Sequence, residues 1–179
     1  MFEDDEYGYD EYEDSAEPTV VAGHPFALDV GVLRELNGSQ FRYQDLEFAV
    51  HLVDFVRDFD GTILFDHEGS IEAEYRRVLP ARTLGWELWQ ALLPYQSFVS
   101  SKPSRYVQGE LRKIPFDDDD EKYVAVANRA QGAYITHEVD KHLREQVRIR
   151  VRQTCGVEVM GRDHVRDYIR RATSASDSA

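Results

Sequence analysis

The chain has 179 residues, 42% of them hydrophobic and 12% aromatic, enough for one ordinary domain with a sizeable core. Its single cysteine, Cys155, excludes an internal disulfide framework and a cysteine-built zinc cage, and no apolar run nears the roughly 18 residues a membrane span needs. The formal net charge is −13, and the start, Met1-Phe2-Glu3-Asp4-Asp5, has no basic segment, so a cytoplasmic protein without membrane association is expected.

The charge is unevenly placed. Residues 1–17 carry nine acids and no base, while the remainder holds 25 acids against 21 bases. Between Lys141 and Arg171 there are nine bases and four acids. The leader also carries Phe2, Tyr7, Tyr9 and Tyr12 but little aliphatic surface, so residues 1–20 are expected to be a disordered tail. One reading makes it a solvated leader. The other makes it an anionic aromatic strip that docks on a basic groove in the manner of a nucleic acid.

After the tail, strands and helices alternate. Pro25 to Asp29 reads as a short buried strand ending in an acid, and Val30 to Leu36 as a helical turn. Gln44 to Phe59 places Leu46, Ala49, Val50, Val53 and Val56 on one face of an amphipathic helix. Asp60-Gly61 breaks it before a strand, Thr62 to Phe65. Ser70 caps a helix that stops before Pro80. Leu84 to Leu93 is helical, with Trp86 and Trp89 read as core. Residues 94–114 read as irregular. Asp117 to Asp120 open a helix to Gln131, Ala133 to Thr136 is a strand, and Val139, Leu143, Val147 and Val151 mark a further helix. Val157 to Met160 and Arg162 to Arg171 close the series as strand and helix, and residues 173–179 read as a flexible end. This order predicts an α/β domain over residues 21–172, a parallel central sheet flanked by helices.

Parallel sheets place their sites beyond the carboxyl ends of the strands. Asp29 closes the first strand; Glu72 and Glu74 lie on the helix after the second; Asp117 to Asp120 precede the third; Glu138 and Asp140 follow it. Carboxylates gathered in a partly buried site repel one another, and a hard divalent cation relieves that cost. Each acid also has an ordinary reading. Asp29 can cap the next turn, Glu74 can pair with Arg77, the Asp117–Asp120 run can be a solvated loop, and Glu138 and Asp140 can stabilise a helix N-terminus.

Four segments, FALDVGVL, IEAEYRRVL, FDDDDEKYVAVA and AYITHEVDKHL, resemble signature stretches of PIN-domain nucleases, a likeness spanning roughly residues 25 to 170. The resemblance implies a single PIN-like domain. Asp29, Glu74, Asp120 and Glu138 then become catalytic, with Asp29, Asp120, Glu138 and Asp140 holding one or two Mg²⁺ or Mn²⁺ ions. Val30 and Gly31 stand where the family commonly has a small polar residue and then asparagine. The implied activity is phosphodiester hydrolysis, in RNA more than in DNA, by an endoribonuclease of toxin or defence type. Implied partners are nucleic acid, an inhibitor or complex partner, and a second copy of the chain. The alternative is an inactive PIN-like interaction module that recruits partners through the acidic tail.

Phosphate contacts need cations. Lys102, Arg105, Arg112 and Lys113 on the irregular segment are the first candidates for substrate binding, ahead of Arg144, Arg148, Arg150 and Arg152, which spread around a helix. His137 reads as a turn residue. The other histidines show no zinc-like spacing, and no glycine-rich phosphate loop is present.

Overall fold

The computed structural model describes residues 21, 23–38, 43–114, 116–138 and 141–176. The acidic tail and Asp140 lie outside them. Five strands form one all-parallel sheet: β1 (His24–Leu28), β2 (Gly61–Asp66), β3 (Gln96–Val99), β4 (Ala133–Ile135) and β5 (Glu158–Met160), in the order β3-β2-β1-β4-β5. Among the described residues the eight α-helices are α1 (Val30–Glu35), α2 (Tyr43–Asp58), α3 (Ser70–Val78), α4 (Leu84–Leu92), α5 (Arg105–Leu111), α6 (Glu121–Arg129), α7 (Glu145–Cys155) and α8 (Arg162–Ser176). This is the expected α/β class, a parallel sheet flanked by helices. Among the described residues, no helix is long and apolar enough to cross a membrane.

The chain builds outward from β1 through β2 to β3, then returns to place β4 on the other side of β1. The carboxyl ends of β1 and β4 therefore meet at the point where strand order reverses, the place where open parallel sheets form a ligand crevice. The register puts Leu28 beside Ile135, and the Asp29 N–H donates to the Ile135 carbonyl at 2.8 Å. Asp29 and Thr136 are thus fixed side by side by backbone pairing before any side-chain contact is made. Phe26, Ile63, Phe65, Tyr134 and Val159 are buried along the strands, as the near-continuous apolar character of two-sided strands requires.

Three expectations are corrected. Residues 94–114 are not irregular throughout, since they contain β3 and α5. β3 is a four-residue edge strand with only Val99 buried, and α5 shows the core just Val107 and Leu111. Such short, half-exposed elements carry almost no periodic signal. Second, α2 buries Phe48, Ala49, Leu52, Phe55 and Val56, whereas Leu46 and Val50 are 42% and 50% exposed. Apolar residues cover much of this helix's circumference, and aromatic packing selects the face. The Phe55 ring lies 6.1 Å from Phe26 and 5.9 Å, edge-on, from Tyr168. Third, α7 begins at Glu145. The Glu138 carbonyl accepts from the Lys141 and Leu143 N–H groups, forming a turn that carries His142 inward. Beyond these, Trp89 is fully buried as read, and α8 continues past Arg171 to Ser176.

Candidate functional site

A polar cavity of about 720 Å³ opens at this crossover, and Asp29, Glu74, Asp120 and Glu138 all line it. Four acids far apart in sequence are thereby brought to one wall. Arg34, Arg77, Phe116, Asp117, Asp119 and His137 complete much of the lining.

Asp29 has two jobs, one per carboxylate oxygen. Oδ1 accepts the Gly31 N–H at 2.7 Å and caps α1. Oδ2 accepts the Thr136 hydroxyl at 2.9 Å and faces His137 Nδ1 at 3.3 Å. The capping reading of this residue holds, and the same side chain lines the cavity. Burial pushes the Asp29 carboxyl up, but the hydrogen bond and charge of His137, with Gly31 and Thr136, outweigh it and hold the group below its ordinary value.

Glu74 sits on the second turn of α3. That helix is anchored by Asp66, a buried acid at the end of β2 whose role the sequence reading missed. Asp66 Oδ2 accepts the Ser70 N–H at 2.8 Å and the Ser70 hydroxyl at 2.6 Å, while Oδ1 accepts the Ile71 N–H at 2.8 Å. Gly69, with φ 76°, is the N-cap residue and offers no side chain, so Asp66 replaces the expected Ser70 cap. With α3 held this way, Glu74 Oε2 accepts the Tyr123 hydroxyl at 2.9 Å and pairs with Lys122 Nζ at 2.8 Å. Arg77 lies 3.7 Å from Oε1, the pairing expected from helical spacing.

Asp120 precedes α6 and makes no side-chain cap. Burial first, then the charges of Asp29, Asp117 and Glu74, push its carboxyl up to about 7. Its neighbour is His142, fully buried, with Nε2 3.5 Å from Asp120 Oδ2 and neither ring nitrogen hydrogen-bonded. The imidazole stacks on Phe116 at 4.0 Å, and burial lowers its basicity. Nothing in the spacing of His142 announces this position.

Glu138 lies beyond β4, where His137 Nε2 reaches its Oε1 at 3.3 Å. His137 thus bridges Asp29 and Glu138 rather than decorating a turn. The hydrogen bond to Asp29 raises its basicity against the opposing effect of burial. Beneath the carboxylates lie three buried phenols. Tyr75 donates to the Leu28 carbonyl, Tyr123 to Glu74, and Tyr134 reaches Asp29 Oδ2 at 3.5 Å. Burial, reinforced by the nearby acids, raises all three well above the ordinary tyrosine value, so they remain donors.

The proposed substrate cations fall elsewhere. Lys102, Arg105, Arg112 and Lys113 lie on and around α5 and are not among the lining residues. Lys113 is paired with Glu110 at 2.5 Å, and the Lys102 carbonyl accepts from Arg129. The guanidinium groups that do line the cavity belong to Arg34 and Arg77.

The donor set of the cavity is carboxylate oxygen, the chemistry a hard divalent cation prefers. Among the described residues, however, no three histidine, cysteine, aspartate or glutamate side chains are arranged to hold a metal ion as they stand. His137 stands between Asp29 and Glu138, and Lys122 pairs with Glu74. No protein-family model matches the chain, and no curated protein matches it significantly.

Proposed function

We propose that this chain is a metal-dependent nuclease with a PIN-like domain, an endoribonuclease of toxin or defence type. One observation carries the reading: Asp29, Glu74, Asp120 and Glu138 line a single polar cavity where β1 and β4 cross over, and Asp120 is raised to about 7 by burial first and then by the acids around it. Asp29, Asp120 and Glu138, with Asp140 from outside the described residues, would hold Mg²⁺ or Mn²⁺. The bound ion supplies an activated water and neutralises charge building on the phosphoryl oxygens.

The chain's own residues prepare that chemistry. His137 first, then the α1 N-terminus and Thr136, hold Asp29 below its ordinary value against burial, and these contacts aim its carboxylate. Tyr123 and Lys122 orient Glu74. The Asp120 carboxyl, pushed up by burial and then by Asp29, Asp117 and Glu74, carries a cost of ionisation that a bound cation would relieve. Arg34 and Arg77 offer planar, charged donors to a phosphate at the cavity rim.

The test is cleavage of labelled single-stranded RNA, single-stranded DNA and duplex DNA, with Mn²⁺, Mg²⁺ or EDTA. Wild type should cut RNA only with metal, and Asp120→Ala and Asp29→Ala should not cut. Undiminished cutting by folded variants removes the site. The second reading, an inactive interaction module, is favoured by His137 and Lys122, which already neutralise the acids internally. Absence of metal-dependent cutting on every substrate selects it.

A further inference from the structure

The glycine after Asp29 has a neighbour that explains it. A Cβ built on Gly31 falls 1.9 Å from His137 Cε1 and 2.2 Å from Nδ1, far inside any real contact. The imidazole therefore rests directly on the α1 backbone, in a space that exists only because residue 31 has no side chain. From there its two nitrogens reach Asp29 and Glu138, each at 3.3 Å. Two of the proposed metal-binding carboxylates are held apart by one ring, and that ring is seated by one glycine.

We propose that Gly31 and His137 form a gate on the cation site: the ring occupies the place between Asp29 and Glu138, and a divalent ion enters only when the ring swings out. This rests on the reading of the cavity as a divalent-cation site. The seated ring lowers apparent metal affinity by the fraction of molecules in which the place is open. His137 is 14% exposed on its side chain and lines the open cavity, so it has space into which to rotate. The three atoms nearest the virtual Cβ all belong to this ring, so a methyl group at residue 31 meets the imidazole first and displaces it.

The experiment is Mn²⁺ titration of the full chain, with free Mn²⁺ counted by electron paramagnetic resonance, and folding checked by circular dichroism. Wild type, Gly31→Ala, His137→Ala and the double variant are compared. Each single variant should bind Mn²⁺ about tenfold or more tightly than wild type. The double variant should bind no more tightly than either, because both remove the same obstacle. Gly31→Ala retains the imidazole, so it separates position from charge. A gain in His137→Ala alone overturns the gate in favour of simple charge removal. Unchanged or weaker binding in both, with wild type still binding, overturns the gate and leaves the metal site standing. No Mn²⁺ binding by any of the four at millimolar ion removes the metal site, and the gate with it.

Discussion

Replacing Asp120 with asparagine should stabilise the protein at neutral and alkaline pH. The folded carboxyl titrates at about 7 instead of its ordinary 3.8. Between those values folding takes up a proton, so the stability present at low pH is lost as pH rises toward 7. Three units at about 1.4 kcal/mol each give a penalty on the order of 4 kcal/mol at pH 8. The side chain is only 18% exposed, so solvent screens little of it. Asparagine keeps the shape and carries no charge. Asp120→Asn should therefore melt roughly 10 °C higher than wild type at pH 8, for a domain of this size. Near pH 4 the gap should shrink to roughly half a kcal/mol, because the folded carboxyl is then protonated and the unfolded one only about half ionised. Urea unfolding at pH 4, 6 and 8 without metal reads the trend. A variant no more stable than wild type at pH 8, or a gap that does not close on acidification, refutes the reasoning. Mn²⁺ should stabilise wild type and leave the variant unmoved.

Other expectations follow from the same geometry. Asp66→Ala strips α3 of three acceptor contacts and should cost about 2 kcal/mol in urea unfolding; a cost below about 0.5 kcal/mol would mean that the helix is held by packing alone. Asp66 is held below its ordinary value once its hydrogen bonds to Ser70, Ile71 and Ser101 outweigh burial, so its contribution is present above pH 4 and fades as pH falls. Gly85→Ala places a Cβ 2.2 Å from the Leu33 carbonyl oxygen and should push α4 off α1, at about 2 kcal/mol by thermal melting. A melting point equal to wild type would contradict that close approach. Arg34→Ala with Arg77→Ala should weaken binding of a labelled RNA oligonucleotide in EDTA and flatten the salt dependence by roughly 1.4 in log–log slope. Lys113→Ala should change neither; the reverse pattern would move the phosphate track to α5.

The alternation of short apolar runs with amphipathic stretches made the parallel sheet legible, because a buried parallel strand and a packed helix leave different periods in sequence. The acids at strand ends were legible for the same reason. Once Leu28 and Ile135 are strand ends, Asp29 and Glu138 must emerge at one edge. What stayed hidden depends on contacts between distant segments. His137 looked incidental because its value lies in the absence of a side chain at Gly31. Asp66 closes its strand as Asp29 does, in Thr62-Ile-Leu-Phe-Asp66, and that parallel was the available signal. His142 had none, since a turn rather than a helix buries it. The basic residues around α5 misled because charge density in sequence does not say which face a short helix turns to the site.

The crossover of the sheet also sets the order in which this cavity can come into being. Asp29 and Thr136 are 107 positions apart, and β4 seats between β1 and the still later β5. A chain emerging from the ribosome can pair β1, β2 and β3 and wind α3 into place, with Asp29 and Glu74 made but without the Thr136, Tyr123 and Lys122 contacts that orient them. Until the segment from Asp120 to Glu138 has been made and docked, those two acids face nothing. The cavity is thus completed only by long-range closure, once the segment carrying β4 has docked beside β1. Under the nuclease reading proposed above, such lateness spares the message from which the chain is being translated.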